Sequence, residues 1–405
     1  MSDSVKTTFE DLGLHVDLLQ GLSDLNFKHP TPIQEQAIPL ILDGQDLIGC
    51  AQTGTGKTAA FLLPTIHQIL EKGSPDEIKC LIIVPTRELA VQIDQQLQGL
   101  SYYTGLSSRA IYGGGDGDAF SDEKNALQTG AQIIIATPGR LKVHMSMSYS
   151  SFGGLTHLIL DEADRMLDMG FHDDIKSIIA QLPKKRQNLL FSATMPPKIR
   201  TLSKEILHEP KEINIAVSIP AEKITQIGFS VYPAQKIPLI LHIFKARDFQ
   251  RVIVFCSTKS SAKELNKSLK ELKLSVADIH SDLEQSEREH VLNQFKANKL
   301  NILVATDVLS RGIDIEDIEL VINFDVPNEG EDYIHRIGRT ARAASKGAAF
   351  TLIDPDNQYK FAQIESLIGR EIPKAKVPEA LGEAPAYDPR TRRSGGKPKF
   401  RKKRA

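Results

Sequence analysis

Residues 46–70 read DLIGC, AQTGTGKT and AAFLLPTIHQIL in succession: a short apolar strand, a glycine-bearing turn and a helical pattern. A strand feeding a helix through such a loop belongs to open α/β sheets, where ligands bind at the carboxyl edge of the strands. Gly54 and Gly56 let backbone N–H groups curl around phosphate oxygens, and the start of the following helix adds a favourable dipole. Lys57 has the reach for the β- and γ-phosphates, and the Thr58 hydroxyl suits a magnesium ion. Ala51, Gln52, Thr53 and Thr55 complete the loop, with Ala51 in a place where glycine is common but not required. The pattern predicts ATP-type nucleotide and Mg²⁺ as cofactors.

Outward from this loop, short β-branched runs alternate with longer helical patterns. The runs fall at 81–84, 133–135, 158–160, 252–255, 302–304 and 320–322. Continuous apolar runs of this length suit strands covered on both faces, which predicts an α/β fold with mostly parallel sheets flanked by helices. The halves also echo each other: CLIIVPTRELA at 80–90 resembles RVIVFCSTKSSAKEL at 251–265, and AQIIIATPGR at 131–140 resembles LNILVATDVLSR at 300–311. Two related domains follow, 1–215 and 224–378, joined by a linker at 216–223. Beyond residue 378 the chain is rich in Pro, Gly, Ala and basic residues, which predicts a disordered basic tail over 379–405.

The net charge of −1 hides an asymmetry. Residues 389–405 carry nine Lys/Arg and no acid, so the remainder holds 41 basic against 51 acidic residues, a net charge of −10. A basic tail on an acidic body fits a polyanionic partner such as nucleic acid; a merely solubilising terminus is the plainer alternative. Cys50, Cys80 and Cys256 form no CxxC or Cys/His cluster, which argues against a zinc site or disulfide framework and fits a reducing compartment. The polar, acidic first twenty residues are unlike a signal peptide, and no apolar run approaches the roughly 18 residues that cross a bilayer. The expectation is a cytoplasmic protein with no membrane partner.

A phosphate cradle needs a second metal anchor and a group that activates water. LTHLILDEAD at 155–164 is a buried-type strand ending in acids, with Asp161 placed for the metal and Glu162 for the attacking water. Asp164 is open to a plainer reading as a helix-start acid. In HRIGRTAR at 335–342, Arg336, Arg339 and Arg342 recur at steps of three, a spacing that keeps them near one helical face and suits fingers for transition-state charge.

With these motifs in order, the chain resembles a DEAD-box RNA helicase from about residue 9 to residue 342. The resemblance implies two tandem RecA-like domains, ATP hydrolysis stimulated by RNA, and unwinding or remodelling of short RNA duplexes and RNA–protein complexes. FKHPTPIQ at 27–34 resembles the adenine-reading segment, which implies that Gln34 bonds adenine with Phe9 or Phe27 packed nearby. Pro85, Thr86 and Arg87, then Gly113–Gly114, then Thr137, Pro138, Gly139 and Arg140 match first-domain RNA contacts. Ser192 and Thr194 match the segment coupling hydrolysis to strand separation, with His335 as a further coupling residue. In the second domain Gln285, Arg288, Thr306 and Arg311 match RNA-side positions, Asp314 is implied at the ribose, and Arg339 and Arg342 as arginine fingers.

Four positions depart from the common pattern: Asn26 and Ser281 stand where Gly is usual, Ser310 where Ala is, and Ala341 where Gly is. None removes a charge. On their own, Thr86 reads equally as a helix cap and Gly113–Gly114 as a turn. The absence of Trp fits a grip on sugar and phosphate rather than stacking on many bases. An ATP-gated clamp, a DNA helicase and a non-catalytic adaptor remain the rival readings. Ribonucleoproteins and RNA-decay assemblies are compatible partners beside single-stranded and short duplex RNA.

Overall fold

The structure, a computed structural model, describes residues 7–51, 54–72, 77–114, 117–147, 149, 152–215, 224–306, 318–340 and 347–389. These divide into two compact units, one running to residue 215 and one from residue 224. The linker expected at 216–223 lies outside the described residues.

In the first unit, helices α1 (Val16–Asp24) and α2 (Pro32–Leu42) precede β1 (Leu47–Cys50) and α3 (Lys57–Lys72). There follow β2 (Cys80–Ile83), α4 (Arg87–Leu100), β3 (Ser108–Ile111), α5 (Gly117–Thr129), β4 (Ile133–Ala136) and α6 (Pro138–Ser146). The unit closes with β5 (His157–Leu160), α7 (Ala163–Asp168), α8 (His172–Ile179), β6 (Gln187–Ser192), α9 (Pro197–Ile206) and β7 (Lys211–Asn214). The described strands form one parallel sheet in the order β3-β4-β2-β5-β6-β1-β7. Strands β2, β4 and β5 are buried at every position, because consecutive side chains point to opposite faces and helices cover both. Ile82, Ile135 and Phe191 pack with Phe61 of α3 on one face, while Leu81, Ile134 and Leu190 face Leu141 and Ile199 on the other.

The second unit runs β8 (Ile224–Ser230), α10 (Lys236–Ala246), β9 (Val252–Cys256), α11 (Lys259–Glu271), β10 (Val276–Ile279) and α12 (Gln285–Lys296). It continues through β11 (Ile302–Thr306), β12 (Leu320–Asn323), α13 (Gly330–Ile337), β13 (Gly347–Ile353) and α14 (Gln358–Ile368). Its described strands are also parallel, in the order β10-β11-β9-β12-β13-β8. Matching β2 to β9 and β4 to β11, as the sequence echo does, brings the two orders into register strand for strand, with β7 as an added edge. The echo extends to the turns. Thr86 caps α4 by accepting the Leu89 N–H at 3.3 Å, and Thr258 caps α11 by accepting the Ser261 N–H at 3.1 Å.

Two expectations need correction. The chain does not leave the fold at residue 378. Gln358 Nε2 donates to Ala386 O at 2.7 Å and its Oε1 accepts the Asp388 N–H at 2.7 Å. Buried Glu365 accepts the Ile372 N–H and the Tyr387 hydroxyl, each at 2.7 Å, and pairs with Lys374. Residues 379–388 are therefore a strap on α14, and only 390–405 of the expected tail lie outside the described residues. The three arginines also do not share a helix. Helix α13 ends at Ile337, so Arg339 follows its last turn. Arg336 is fully buried: it donates to Asn323 Oδ1 at 3.1 Å and Asp325 O at 3.2 Å, with its guanidinium 5.2 Å from the Phe255 ring centre. It serves the interior of the second unit.

Candidate functional site

The strand order sets β5, β6 and β1 side by side, so the loops leaving their carboxyl ends are neighbours. Ala51 N–H donates to Ser192 O at 3.1 Å, and Cys50 pairs with Ser192 in register. In the loop after β1, Gly54 and Gly56 hold φ of 80° and 92°, left-handed values that favour glycine. Gly56 is required for space as well, since a Cβ there would stand 2.4 Å from Gln34 Nε2. Lys57 opens α3, is buried, and donates to Ala51 O at 2.6 Å, while half-buried Thr58 follows it. Thr55 lies in the same turn, and Gln52 and Thr53 are outside the described residues.

Gln34 links the preceding helix to this loop. Its Oε1 accepts the Thr31 N–H at 2.9 Å, capping α2, and its Nε2 donates to Gly56 O at 3.0 Å. The Phe9 and Phe27 rings meet edge to face at 6.5 Å, but Phe9 is core while Phe27 is 38% exposed. Asn26, just before Phe27, has φ 58° beyond the end of α1, where Phe27 N–H returns to Leu22 O at 2.9 Å. Asparagine tolerates this helix-ending geometry, which explains why it can stand where glycine is usual.

After β5, Asp161 and Glu162 are both buried. Burial pushes the Asp161 carboxyl up to about 6; nearby Lys57 pulls it down, and the charges of Glu162 and Asp164 push it up. Asp161 Oδ1 accepts the Glu162 N–H at 2.9 Å, and Glu162 has φ 50° and ψ 48°, a left-handed conformation for a side chain that seldom adopts it. Glu162 lies 3.5 Å from Arg165 Nη1. Asp164 is more than a helix-start acid: its Oδ2 accepts both the N–H and the hydroxyl of Thr194, at 3.0 and 2.9 Å. Ser192 Oγ donates to Thr194 O at 2.7 Å.

On the same unit, Pro85 and Thr86 are buried at the start of α4, and Arg87 begins that helix. Gly114 holds φ 93°, and a Cβ on it would fall 2.0 Å from Arg87 Nη1. A Cβ on Gly113 would lie 3.8 Å from Arg87 Nη2 and 4.0 Å from Arg140 Cδ. Thr137 holds the N-cap position of α6 without a side-chain capping bond, Pro138 is the first helical residue, Gly139 is exposed, and Arg140 follows. Arg87, Gly113, Gly114 and Arg140, scattered over more than fifty residues, are thus brought together.

Residues 31–202 match the DEAD/DEAH box helicase family, and residues 235–344 match the helicase conserved C-terminal domain. The ATP-dependent RNA helicase CshA of Listeria monocytogenes is 40% identical over 373 residues, covering 92% of this chain and 71% of that protein. The chain belongs to the DEAD-box RNA helicase family. The Escherichia coli ATP-dependent RNA helicase DeaD is 39% identical over 377 residues, which cover 93% of this DEAD-box chain and 59% of the relative. Among solved structures, S. cerevisiae Dbp5 bound to RNA and ADP BeF3 matches with a TM-score of 0.82 at 30% identity, over 92% of this chain and 96% of that one. Mss116p bound to ssRNA and AMP-PNP matches with a TM-score of 0.83 at 30% identity, over 94% and 82%. These likenesses agree with two RecA-like units.

In the second unit of this DEAD-box protein, Thr306 ends β11 and is buried, Gln285 and Arg288 lie on α12, and His335 is buried in the last turn of α13. Arg339 is 4% exposed. Arg311, Asp314 and Arg342, together with the departures at Ser310 and Ala341, lie outside the described residues. Sequence reading missed Glu123, a buried acid of α5 bonded to Arg140; the one hint was His144, four residues beyond Arg140 on the same helical face.

Proposed function

We propose that this chain is an RNA-stimulated ATP hydrolase that unwinds or remodels short RNA duplexes and RNA–protein complexes. The observation that carries this reading is the arrangement at the β1, β5 and β6 ends. A left-handed glycine loop with Lys57 at the start of a helix lies beside a buried Asp161–Glu162 pair. Gln34 spends one donor and one acceptor on the protein, which leaves its amide a second donor and a second acceptor for adenine. Exposed Phe27, rather than core Phe9, offers a face to the base. Asp314 is proposed at the ribose.

A magnesium ion fits the donor set. Hard oxygens suit it, here the Asp161 carboxylate and Thr58 hydroxyl. Magnesium bound with nucleotide commonly takes one or two protein oxygens and the rest from phosphates and water. When bound it neutralises phosphate charge. Lys57 then steadies the β- and γ-phosphates, Glu162 orients the water and accepts its proton, and Arg339 and Arg342 supply further positive charge for the transition state. Asp164, Thr194, Ser192 and His335 carry the change outward.

The RNA surface comprises Arg87, Gly114, Arg140 and the backbone of Thr86, Thr137, Pro138 and Gly139, with Pro85 shaping the turn. Gln285, Arg288, Thr306 and Arg311 are its proposed counterparts in the second unit. The helix starts at Arg87 and, past Pro138, at Gly139 present N–H groups suited to phosphate. Domain bounds of 1–215 and 224 onward, the linker between them and a cytoplasmic location belong to the same reading; among the described residues no helix is long and apolar enough to cross a membrane. ATP turnover with and without single-stranded RNA, run beside displacement of a short duplex, tests it. RNA-stimulated phosphate release with strand displacement is expected; turnover indifferent to RNA would sink the reading.

A further inference from the structure

Glu123 carries an arrangement that no motif of the chain accounts for. It is 4% exposed and accepts three hydrogen bonds. Its Oε1 takes the Tyr112 N–H at 3.0 Å; its Oε2 takes Arg140 Nε at 2.6 Å and His144 Nε2 at 2.8 Å. A carboxylate only accepts, so Nε2 of the fully buried His144 bears its proton, while Nδ1 meets the Tyr149 hydroxyl. Phe120 touches both Arg140 and His144: its ring stacks on His144 at 4.6 Å and 16°, and the Arg140 guanidinium sits 4.6 Å from its centre. Arg140 is thereby held at Nε and on one face, while its Nη2 is buried with no hydrogen-bond partner among the described residues.

We propose that Glu123, backed by Phe120 and His144, is a positioning residue that sets Arg140 for an RNA phosphate beside Gly113, Gly114 and Arg87. The inference rests on reading Arg140 as an RNA contact. A free arginine loses rotamer freedom when it grips a phosphate; one already fixed at Nε and stacked on a ring has lost it beforehand. The carboxylate is specific to the task. Three donors face Glu123, two at one oxygen and one at the other, and a glutamine amide has a single oxygen. Glutamine therefore satisfies Tyr112 or the Arg140–His144 side, never both. A buried donor left unmatched makes the amide turn its oxygen to one of them at the other's expense.

The experiment is a double-mutant cycle on the full chain, with Glu123→Gln, Arg140→Ala and both together. The probe is a short oligouridylate, and the reading is the RNA concentration that half-saturates ATP turnover against turnover at saturating RNA. Glu123→Gln is expected to raise half-saturation about tenfold with the shift falling there rather than on saturated turnover. In the Arg140→Ala background it is expected to add less than about twofold, because the two residues act as one. Multiplying effects, or an unchanged half-saturation in Glu123→Gln, overturn the proposal. An unchanged half-saturation in Arg140→Ala alone overturns the RNA reading of that arginine, a separate result. If Glu123→Gln does not fold, Phe120→Leu removes the stacking face and enters the same cycle, with about a threefold rise expected and the same loss of effect without Arg140.

Discussion

The carboxylate of Asp164 accepts both the backbone N–H and the hydroxyl of Thr194, at 3.0 and 2.9 Å. One oxygen thus ties the turn after β5, where ATP chemistry is proposed, to the turn after β6. Thr194→Val keeps the side-chain shape and the backbone donor but removes the hydroxyl. It is expected to lower strand displacement per ATP hydrolysed by about tenfold, the order of one hydrogen bond to a charged group, while phosphate release persists. Displacement and phosphate release measured in the same reaction check this; equal losses in both would assign the hydroxyl to the chemistry instead.

Glu162 is held in a left-handed conformation with its N–H on Asp161. Such a backbone costs on the order of 1–3 kcal/mol and persists where the surroundings enforce it. Glu162→Gln leaves the backbone alone and removes the base. It is expected to retain ATP-dependent RNA binding while hydrolysis falls by about 10²- to 10⁴-fold. Lys57→Ala is expected to abolish turnover. Normal ATPase activity in Glu162→Gln would falsify the assignment of the water-activating group.

His157 is 2% exposed in β5 and donates from Nε2 to Gln68 Oε1 at 2.5 Å. Burial pushes its imidazole down from 6.5 to about 4. The folded state keeps it neutral while the unfolded chain takes up a proton, so stability is full above pH 6.5 and declines as pH falls towards 4. The total loss is about 3 kcal/mol. His157→Gln keeps a donor for Gln68 and cannot titrate, so its urea midpoint is expected to fall less between pH 7 and pH 4.5 than that of the unsubstituted protein. Parallel declines would show that other groups govern the acid sensitivity.

The nine basic residues of 389–405 supply charge without acids among them. Their removal is expected to weaken RNA binding mainly at low salt. With all nine engaged on a single strand, the log–log slope of affinity against salt flattens by up to roughly 6. Affinities of the full and shortened chains across a salt series measure it, and an unchanged slope would give the tail another purpose.

Local pattern carried much of this protein. The apolar runs read at 81–84, 133–135 and 158–160 became β2, β4 and β5 to within a residue, because strands buried on both faces need continuous apolar side chains. The echo of β2 with β9 and β4 with β11 pointed to two related α/β units, and the structure gives them sheets of like order, with Lys57, Asp161 and Glu162 directly after their strands. Two readings failed where the partner is distant in the chain. Arg336 looked like one of a row of fingers, yet Asn323 of β12, Asp325 just beyond it and Phe255 of β9 hold it inside, and α13 ends before Arg339. Residues 379–388 looked disordered by composition, yet Gln358 and Glu365 of α14 bind their backbone and Tyr387.

The sequence by itself therefore determined the strands, their parallel sense and the family, all properties of side-chain periodicity and of motifs contiguous in the chain. Only the tertiary structure decided which polar groups are spent internally and which are presented: Asp164 on Thr194, Glu123 on Arg140, Glu365 on the strap. A buried polar group is fixed by whatever complementary donor the fold brings within about 3 Å, and no local pattern encodes that meeting.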